Sequence, residues 1–167
     1  MELPGSASDA DVLEYLRLWN LTGPVFVDFQ GLSAGYEPNF CHVSSKHVVQ
    51  QSGGRRVHGW ALWRFRQGSE TVIVGDFHSI WEQADGKLSD VTPPKCGTRV
   101  LFVRDPSLSI RATGSGQLLY HNRTNVPQAP RIWQGNPISD DTFEVPNNNP
   151  SLVAYCKKLG LHDTSMV

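Results

Sequence analysis

The chain has 167 residues, a formal net charge of −1 and 39% apolar residues, with five Trp and seven Phe among its aromatic side chains. This length and composition predict a single domain, residues 1–167, whose core needs no disulfide bonds. The near-zero charge argues against nucleic-acid binding, which needs many basic residues to neutralise phosphates, and no apolar run is long enough to span a membrane.

A helix is predicted near the N-terminus, after a loose segment at residues 1–8. Its helical spacing begins at Asp9 or Ala10 and continues to Trp19, and Ser8 or Asp9 can cap it. The predicted apolar stripe consists of Val12, Leu13, Leu16 and Trp19.

A strand, a loop and a second helix are predicted next. Residues 25–29 are apolar enough for a buried strand, and residues 30–40 contain the Gly, Ser and Pro of a loop. The helix begins near Cys41 and ends at Gly53-Gly54, because glycine tolerates the left-handed backbone that follows a helix.

The middle of the chain predicts an antiparallel meander. Apolar and aromatic runs separated by turn residues occupy 57–66, 71–81, 88–93 and 99–103. Together with the helices, these strands predict an α+β fold in which helices pack on an antiparallel sheet.

Residues 105–149 are predicted to be loop-rich, with one strand at 117–120. A last helix fits Ser151–Leu159, because Asn149 can cap it and Pro150 takes the first helical position, where its missing N–H does no harm.

The three cysteines stand at positions 41, 96 and 156. Their odd number and wide spacing predict reduced thiols, and the chain begins without a signal-peptide pattern. We therefore expect a cytoplasmic protein, and no motif indicates a cofactor.

Cys41 is the cysteine best placed for chemistry. A helix N-terminus favours the thiolate, because its unpaired amides and its dipole stabilise negative charge. Cys96 lies in a loop, and Cys156 falls on the apolar face of the last helix. Cys41 is therefore the candidate nucleophile.

His78 and Asp90 are candidates for the base and for the group that orients it. A three-residue loop at 84–86, with Gly86 in the left-handed position, would pair Gln83 with Lys87. This register sets His78 and Asp90 on the same face of the hairpin as diagonal neighbours.

The segments Phe77-His78-Ser79-Ile80-Trp81-Glu82 and Leu88-Ser89-Asp90-Val91-Thr92-Pro93 resemble the His and Asp strands of the transglutaminase-like, papain-like superfamily. The resemblance covers residues 41–93. It implies a papain-like or transglutaminase-like core and a cysteine-dependent enzyme that hydrolyses, deamidates or transamidates an amide in a protein or peptide substrate. Cys41 would be the nucleophile, although His42 follows it where members of that superfamily carry Trp or Phe.

Such an enzyme also needs hydrogen-bond donors for the oxyanion. The backbone amide of Cys41 is one candidate, and the side chain of Gln30 or of Asn39 is a second. Trp60 is a candidate for substrate contact.

Two other classes of function compete with this hypothesis. A zinc site could draw on a set of Cys and His side chains, although the chain has no C-x-x-C pair. The set comprises Cys41, His42, His47, His58, His78 and Cys96.

A binding module without chemistry could instead present an aromatic and basic face. The residues that would form it are Trp60, Trp63, Trp81, Trp133, Arg55, Arg56, Arg64 and Arg66.

Overall fold

The computed structural model describes residues 1–112, 117–124, 131–133, 136–138, 142–146 and 148–161. They form an α+β fold with three helices: α1 (Ala10–Leu18), α2 (Cys41–Ser52) and α3 (Pro150–Lys158). The strands are β1 (Val25–Asp28), β2 (Arg55–Gln67), β3 (Glu70–Glu82), β4 (Leu88–Ser89), β5 (Arg99–Arg104), β6 (Arg111–Ala112), β7 (Gln117–Thr124), β8 (Arg131–Trp133), β9 (Asn136–Ile138) and β10 (Thr142–Pro146).

Eight of these strands form one sheet in the order β1-β5-β2-β3-β7-β10, in which β4 also pairs with β3 and β6 with β7; β8 and β9 form a separate pair. All the strand pairs are antiparallel. The long hairpin of β2 and β3 is the centre of the sheet. Its register sets Gly59 opposite His78 and His58 opposite Ser79.

The predicted meander is correct only for β2, β3 and β4. The next strand, β5, does not pair with β4 but returns to the other side of β2 and lies between β2 and β1. The prediction of a buried strand at 25–29 is wrong in its burial, because β1 is an edge strand in which only Val27 is buried.

All three predicted helices are present, with differences in their buried faces. In α1, Leu13 is exposed and Tyr15 is buried, so the predicted stripe is wrong at one position. Asp9 precedes α1 but makes no side-chain cap bond; its carboxylate accepts from the backbone of Gly5 and Ser6 instead.

The N-terminal cap of α3 is confirmed. The Asn149 side chain accepts hydrogen bonds from the Ser151 and Leu152 amides, and Pro150 stands in the first turn. Cys156 is buried, as predicted from its place on the apolar face.

Two segments predicted to lack regular structure are more ordered than expected. Residues 1–8 are not a loose end, because Glu2 exchanges two backbone hydrogen bonds with Arg64 of β2, both 2.9 Å long. The segment 105–149, predicted to be loop-rich, contains β6 to β10. Part of the rest of this segment lies outside the described residues. The predicted strand at 117–120 is the first half of β7.

The two faces of the sheet carry separate apolar clusters, as alternation along the strands requires. One cluster joins Trp60, Leu62 and Phe77 to the three helices, and the other lies on the opposite face around Trp63 and Phe102. None of the described helices has the length and apolar character needed to cross a bilayer.

Candidate active site

The N-terminus of α2 lies against a stretch of β3 between two strand pairings. β3 pairs with β7 at residues 74–76 and with β4 at residues 81–82. Between them, the Ser45 hydroxyl of α2 donates a 2.9 Å hydrogen bond to the Ser79 carbonyl. This contact brings Cys41, the first residue of α2, beside the segment of β3 that carries His78.

His78 and Asp90 meet as the hairpin register predicted. The Gln83 amide donates to the Lys87 carbonyl at 2.9 Å, and Gly86 has the expected left-handed backbone, with φ of 85°. The His78 Nε2 and Asp90 Oδ2 atoms are then 2.8 Å apart.

Asp90 is fully buried, and hydrogen bonds hold both its backbone and its side chain. Its backbone N–H donates to the Asp28 carbonyl and its carbonyl accepts from the Gln30 N–H, at 3.1 and 2.7 Å. Its Oδ1 accepts from the Thr92 amide at 2.9 Å. Both carboxylate oxygens therefore have partners, and Oδ2 is directed at His78.

The Cys41 thiol interacts electrostatically with the imidazoles of both His42 and His78. Burial raises the pKa of this thiol, but the charges and hydrogen bonds of His42 and His78 outweigh it and bring the pKa well below its ordinary value. Burial lowers the pKa of His78, but Asp90 and Cys41 raise it well above its ordinary value. The favoured state is a thiolate beside an imidazolium.

A second hydrogen-bonded set lies on the other face of β3, because His78 and Ser79 are consecutive strand residues. The Ser79 Oγ atom is 2.6 Å from His42 Nδ1 and 2.7 Å from His58 Nδ1. The centroids of the two imidazole rings are 6.1 Å apart, and the hydroxyl therefore bridges them. Phe77 contributes to this packing, with its ring centroid 4.5 Å from that of His42.

Charged side chains surround the thiol. Lys95 Nζ lies 2.5 Å from Asp76 Oδ2, and both groups interact electrostatically with Cys41. Burial raises the pKa of Asp76 and lowers that of Lys95, and their mutual attraction opposes both shifts. Arg56 donates to the His42 carbonyl at 3.3 Å. The site thus presents two cations near the thiolate besides His78.

The predicted oxyanion donors occupy different settings. Gln30 is half-buried, and its Oε1 accepts from Gln83 Nε2 at 3.3 Å, so its amide donors point away from Gln83. Asn39 is exposed and has a left-handed backbone, with φ of 69°.

Trp60 does not lie where a substrate could reach it. Its side chain is fully buried and its Nε1 donates to Asp105 Oδ2 at 2.9 Å. The suggestion that Trp60 contacts substrate therefore has no support, because sheet alternation and core packing take the indole into the interior.

The set of side chains suggested for zinc is divided. His47 bonds to the Tyr36 hydroxyl at 2.9 Å, whereas His42 and His58 share Ser79. Among the described residues, no group of three or more His, Cys, Asp or Glu side chains is placed to hold a metal ion.

The suggested aromatic and basic face is not assembled either. Trp60, Trp63 and Trp81 are buried, and the Trp133 side chain lies outside the described residues. Three of the arginines pair with acidic groups: Arg55 with Glu82, Arg64 with Asp9 and Asp11, and Arg66 with Glu2.

Comparison with known protein families, with characterised proteins and with solved structures finds no match for this chain. The geometry around Cys41 is therefore the basis for assigning a function.

Proposed function

We propose that the protein is a thiol-dependent acyl-transfer enzyme that acts on an amide of a protein or peptide through Cys41, His78 and Asp90. One observation carries the proposal: a cysteine at the first residue of a helix interacts electrostatically with a histidine whose Nε2 lies 2.8 Å from a buried carboxylate. A nucleophile, a base in reach of it and a group that orients the base are what covalent catalysis requires. The arrangement supports a papain-like core as the setting of this chemistry.

The proposed reaction begins from the ion pair in which the Cys41 thiol has given its proton to His78. Because Nε2 faces Asp90, the other ring nitrogen, Nδ1, is the one that accepts this proton. The sulfur then bonds to the carbonyl carbon of the amide, and the carbon–nitrogen bond breaks as His78 returns the proton to the leaving amine. Water or a second amine attacks the resulting thioester and regenerates Cys41, which gives hydrolysis, deamidation or transfer.

The oxyanion would be stabilised by the backbone N–H of Cys41, since the first amides of a helix have no acceptor within the helix. We propose Gln30 as the side-chain donor. The Gln30 backbone N–H donates to the carbonyl of Asp90, which places the residue beside the triad, and its side-chain oxygen accepts from Gln83. Asn39 precedes Cys41 by two residues but is exposed, which makes it the weaker candidate.

Thiol chemistry of this kind needs reduced cysteines. Cys41, Cys96 and Cys156 are all free thiols. Thiols stay reduced in the cytosol, where we propose that the protein works.

The test uses substrates of all three reactions. The wild type is incubated with a blocked glutamine dipeptide and with casein, in the presence and absence of hydroxylamine, and ammonia, hydroxamate and new peptide termini are measured. We expect at least one product, with turnover lost in Cys41→Ala and His78→Gln and retained in Cys96→Ser, which removes a thiol outside the triad. Turnover that survives in Cys41→Ala would contradict the proposal.

A further inference from the structure

Tyr155 of α3 makes three contacts with the segment that surrounds Cys41. The Glu37 backbone N–H donates to its hydroxyl at 3.1 Å, and the same hydroxyl lies 2.9 Å from the Ser44 Oγ atom. Its ring stacks on that of Phe40, with 4.4 Å between the centroids and 19° between the planes. Tyr155 is 3% exposed and Ser44 is fully buried, so solvent does not compete for their hydrogen bond. Tyr155 is thus joined to the chain on both sides of Cys41.

The direction of each hydrogen bond follows from the number of protons. The Ser44 hydroxyl donates its single proton to the Phe40 carbonyl, at 2.9 Å. Ser44 can therefore only accept from Tyr155, and the Tyr155 hydroxyl is the donor of that bond. The donors form one chain, from the Glu37 N–H through Tyr155 to Ser44. The chain ends at the Phe40 carbonyl.

The Phe40 carbonyl and the Cys41 N–H belong to the same peptide group. Because this group is planar and trans, its C=O and N–H point in opposite directions, and fixing one fixes the other. The carbonyl accepts from both the N–H and the hydroxyl of Ser44, each at 2.9 Å. These two bonds determine where the Cys41 N–H points.

The backbone before Cys41 needs this support. Phe40 is the N-cap residue of α2 and makes no side-chain cap bond, and Asn39 has a left-handed backbone, with φ of 69°. A residue other than glycine adopts that conformation at a cost, so the surrounding contacts must hold it. The contacts of Tyr155 with Glu37 and with Phe40 lie on either side of Asn39 and do so.

We propose that Tyr155 is a positioning residue that directs the Cys41 N–H at the oxyanion through its hydrogen bond to Ser44. The inference deepens the proposed function and rests on it in that the Cys41 amide binds the oxyanion. The hydrogen bonds act on the amide and not on the sulfur. Their loss should therefore slow reactions of Cys41 that form an oxyanion and leave its other reactions unchanged.

Two reagents separate these reactions. Acetylation by p-nitrophenyl acetate passes through a tetrahedral oxyanion before p-nitrophenolate leaves, whereas iodoacetamide loses iodide to the thiolate without forming an oxyanion. Tyr155→Phe keeps the ring that stacks on Phe40 and removes the hydroxyl. Loss of an oxyanion donor costs on the order of 10²-fold or more, and a misdirected donor costs part of that. We expect acetylation of Cys41 at pH 6.5 to slow about tenfold, with alkylation within about twofold of wild type.

Peptide mass spectrometry measures both modifications at Cys41. Equal losses with the two reagents in Tyr155→Phe, or acetylation at the wild-type rate, would overturn the inference. Ser44→Ala is a second variant of the same chain, because it removes the donor to the Phe40 carbonyl. It should also slow acetylation more than alkylation, and it decides the question if Tyr155→Phe does not fold.

Tyr36→Phe is the matched control. Tyr36 is also a buried tyrosine whose hydroxyl bonds to α2, but its partner is His47 Nδ1, 2.9 Å away and beyond the first turn. Both rates should stay within about twofold of wild type in this variant. Slowed acetylation in Tyr36→Phe equal to that in Tyr155→Phe would overturn the special role of Tyr155.

These reagents report on Cys41 without an amide substrate, so the two proposals can fail separately. A selective loss of acetylation in a protein that turns over no amide would remove only the proposed function. Turnover of an amide that is unchanged in Tyr155→Phe would remove only this inference.

Discussion

Two hydrogen-bonded arms approach Cys41 from consecutive residues of β3, and they differ in what terminates them. The His78 arm ends in the buried carboxylate of Asp90, whereas the Ser79 arm ends in the neutral imidazole of His58. A carboxylate stabilises a cation on the imidazole beside it, and a hydroxyl with a neutral imidazole can only orient its partner.

The two arms therefore have different roles in the site. The Asp90 arm supports the charge that proton transfer creates on His78, and its loss should be felt in every step that moves a proton. The Ser79 arm holds the His42 imidazole, which lowers the pKa of Cys41, and its loss should be felt mainly in the thiol pKa. Removing one arm at a time separates their contributions.

Asp90→Asn should have the largest effect. The asparagine oxygen can keep the Thr92 bond, but its amide would then face His78 Nε2 and force the proton of a neutral ring onto Nδ1, where it blocks acceptance from Cys41. We expect turnover to fall about 10³-fold. The measurement is the initial rate on the substrate that the wild type uses, with the protein's near-UV circular dichroism as a check of folding.

Asp85→Asn is the matched control for that change. Asp85 lies in the same hairpin but is exposed, and its carboxylate accepts only from the Lys87 amide among the described residues. Its activity should stay near wild type, and a loss in Asp90→Asn no greater than in Asp85→Asn would show that the carboxylate arm has no special role.

The pH dependence of thiol alkylation separates the contributions of the two imidazoles. Because the pKa of Cys41 is lowered, its thiolate persists as pH falls, and is lost only below that lowered pKa. An ordinary thiol slows on the order of 10²-fold between pH 8.5 and 6.5. We expect Cys41 to slow less than about threefold over this range in the wild type.

His78→Gln should restore part of the ordinary pH dependence, since His78 supplies one of the two contributions that lower the pKa of Cys41. Iodoacetamide rates measured by peptide mass spectrometry report Cys41 and Cys96 in the same sample. Parallel profiles for the two cysteines in the wild type would contradict an activated Cys41.

Ser79→Ala should have a smaller effect, on alkylation rather than on proton transfer. It removes the hydroxyl that fixes His42, so the pKa of Cys41 should rise, which lowers the alkylation rate at pH 6.5 by about twofold to fivefold. Ser44→Ala is the control, because Ser44 is also a buried serine of this region but bonds to Tyr155 and to the Phe40 carbonyl. Equal losses in the two variants would point to packing instead.

The His78–Asp90 pair could be predicted from the sequence because a local signal fixes it. Gly86 selects the loop, the loop sets the register, and the register brings the two side chains to one face. Asp90 also depends on backbone bonds with Asp28 and with Gln30, which are distant in sequence and which no local pattern indicates.

The second arm has a signal of the same kind in the sequence. A two-residue loop at 68–69 pairs Gln67 with Glu70, and counting back along the strands places His58 opposite Ser79. His58 and His42 also suit a metal site, because composition alone does not distinguish a shared hydroxyl from a shared metal. The Asp76–Lys95 pair had no such signal, since Lys95 lies in a loop whose path is set by tertiary packing.

The same dependence on tertiary packing explains where the predicted fold is wrong. Contacts between residues distant in sequence decide whether β5 pairs with β2 or with β4. β1 pairs with β5 at the end of the sheet and is therefore an edge strand, despite its apolar sequence. The sequence predicts a loose N-terminal segment because Glu2 and its neighbours show no periodicity, yet the Glu2 backbone pairs with β2.

Trp60→Phe should have the smallest effect on Cys41 while lowering stability. The indole donates to Asp105, which also accepts from Ser107 and from Arg123. Removal of one donor from this buried carboxylate should lower the free energy of unfolding by about 1–2 kcal/mol, with alkylation of Cys41 at pH 6.5 unchanged. Urea unfolding and the iodoacetamide rate measure the two quantities.

The acid sensitivity of that variant gives a further check. Burial raises the pKa of Asp105, but its hydrogen bonds with Ser107 and Trp60 lower it below the ordinary value. A lowered carboxylate pKa contributes stability above the ordinary pKa of Asp, and this contribution is lost as pH falls through the lowered value. Without the indole donor the contribution is smaller, so Trp60→Phe should lose less stability than the wild type between pH 7 and pH 3. A change in Cys41 reactivity in this variant would mean that the core face of β2, and not only the two arms from β3, governs the thiolate.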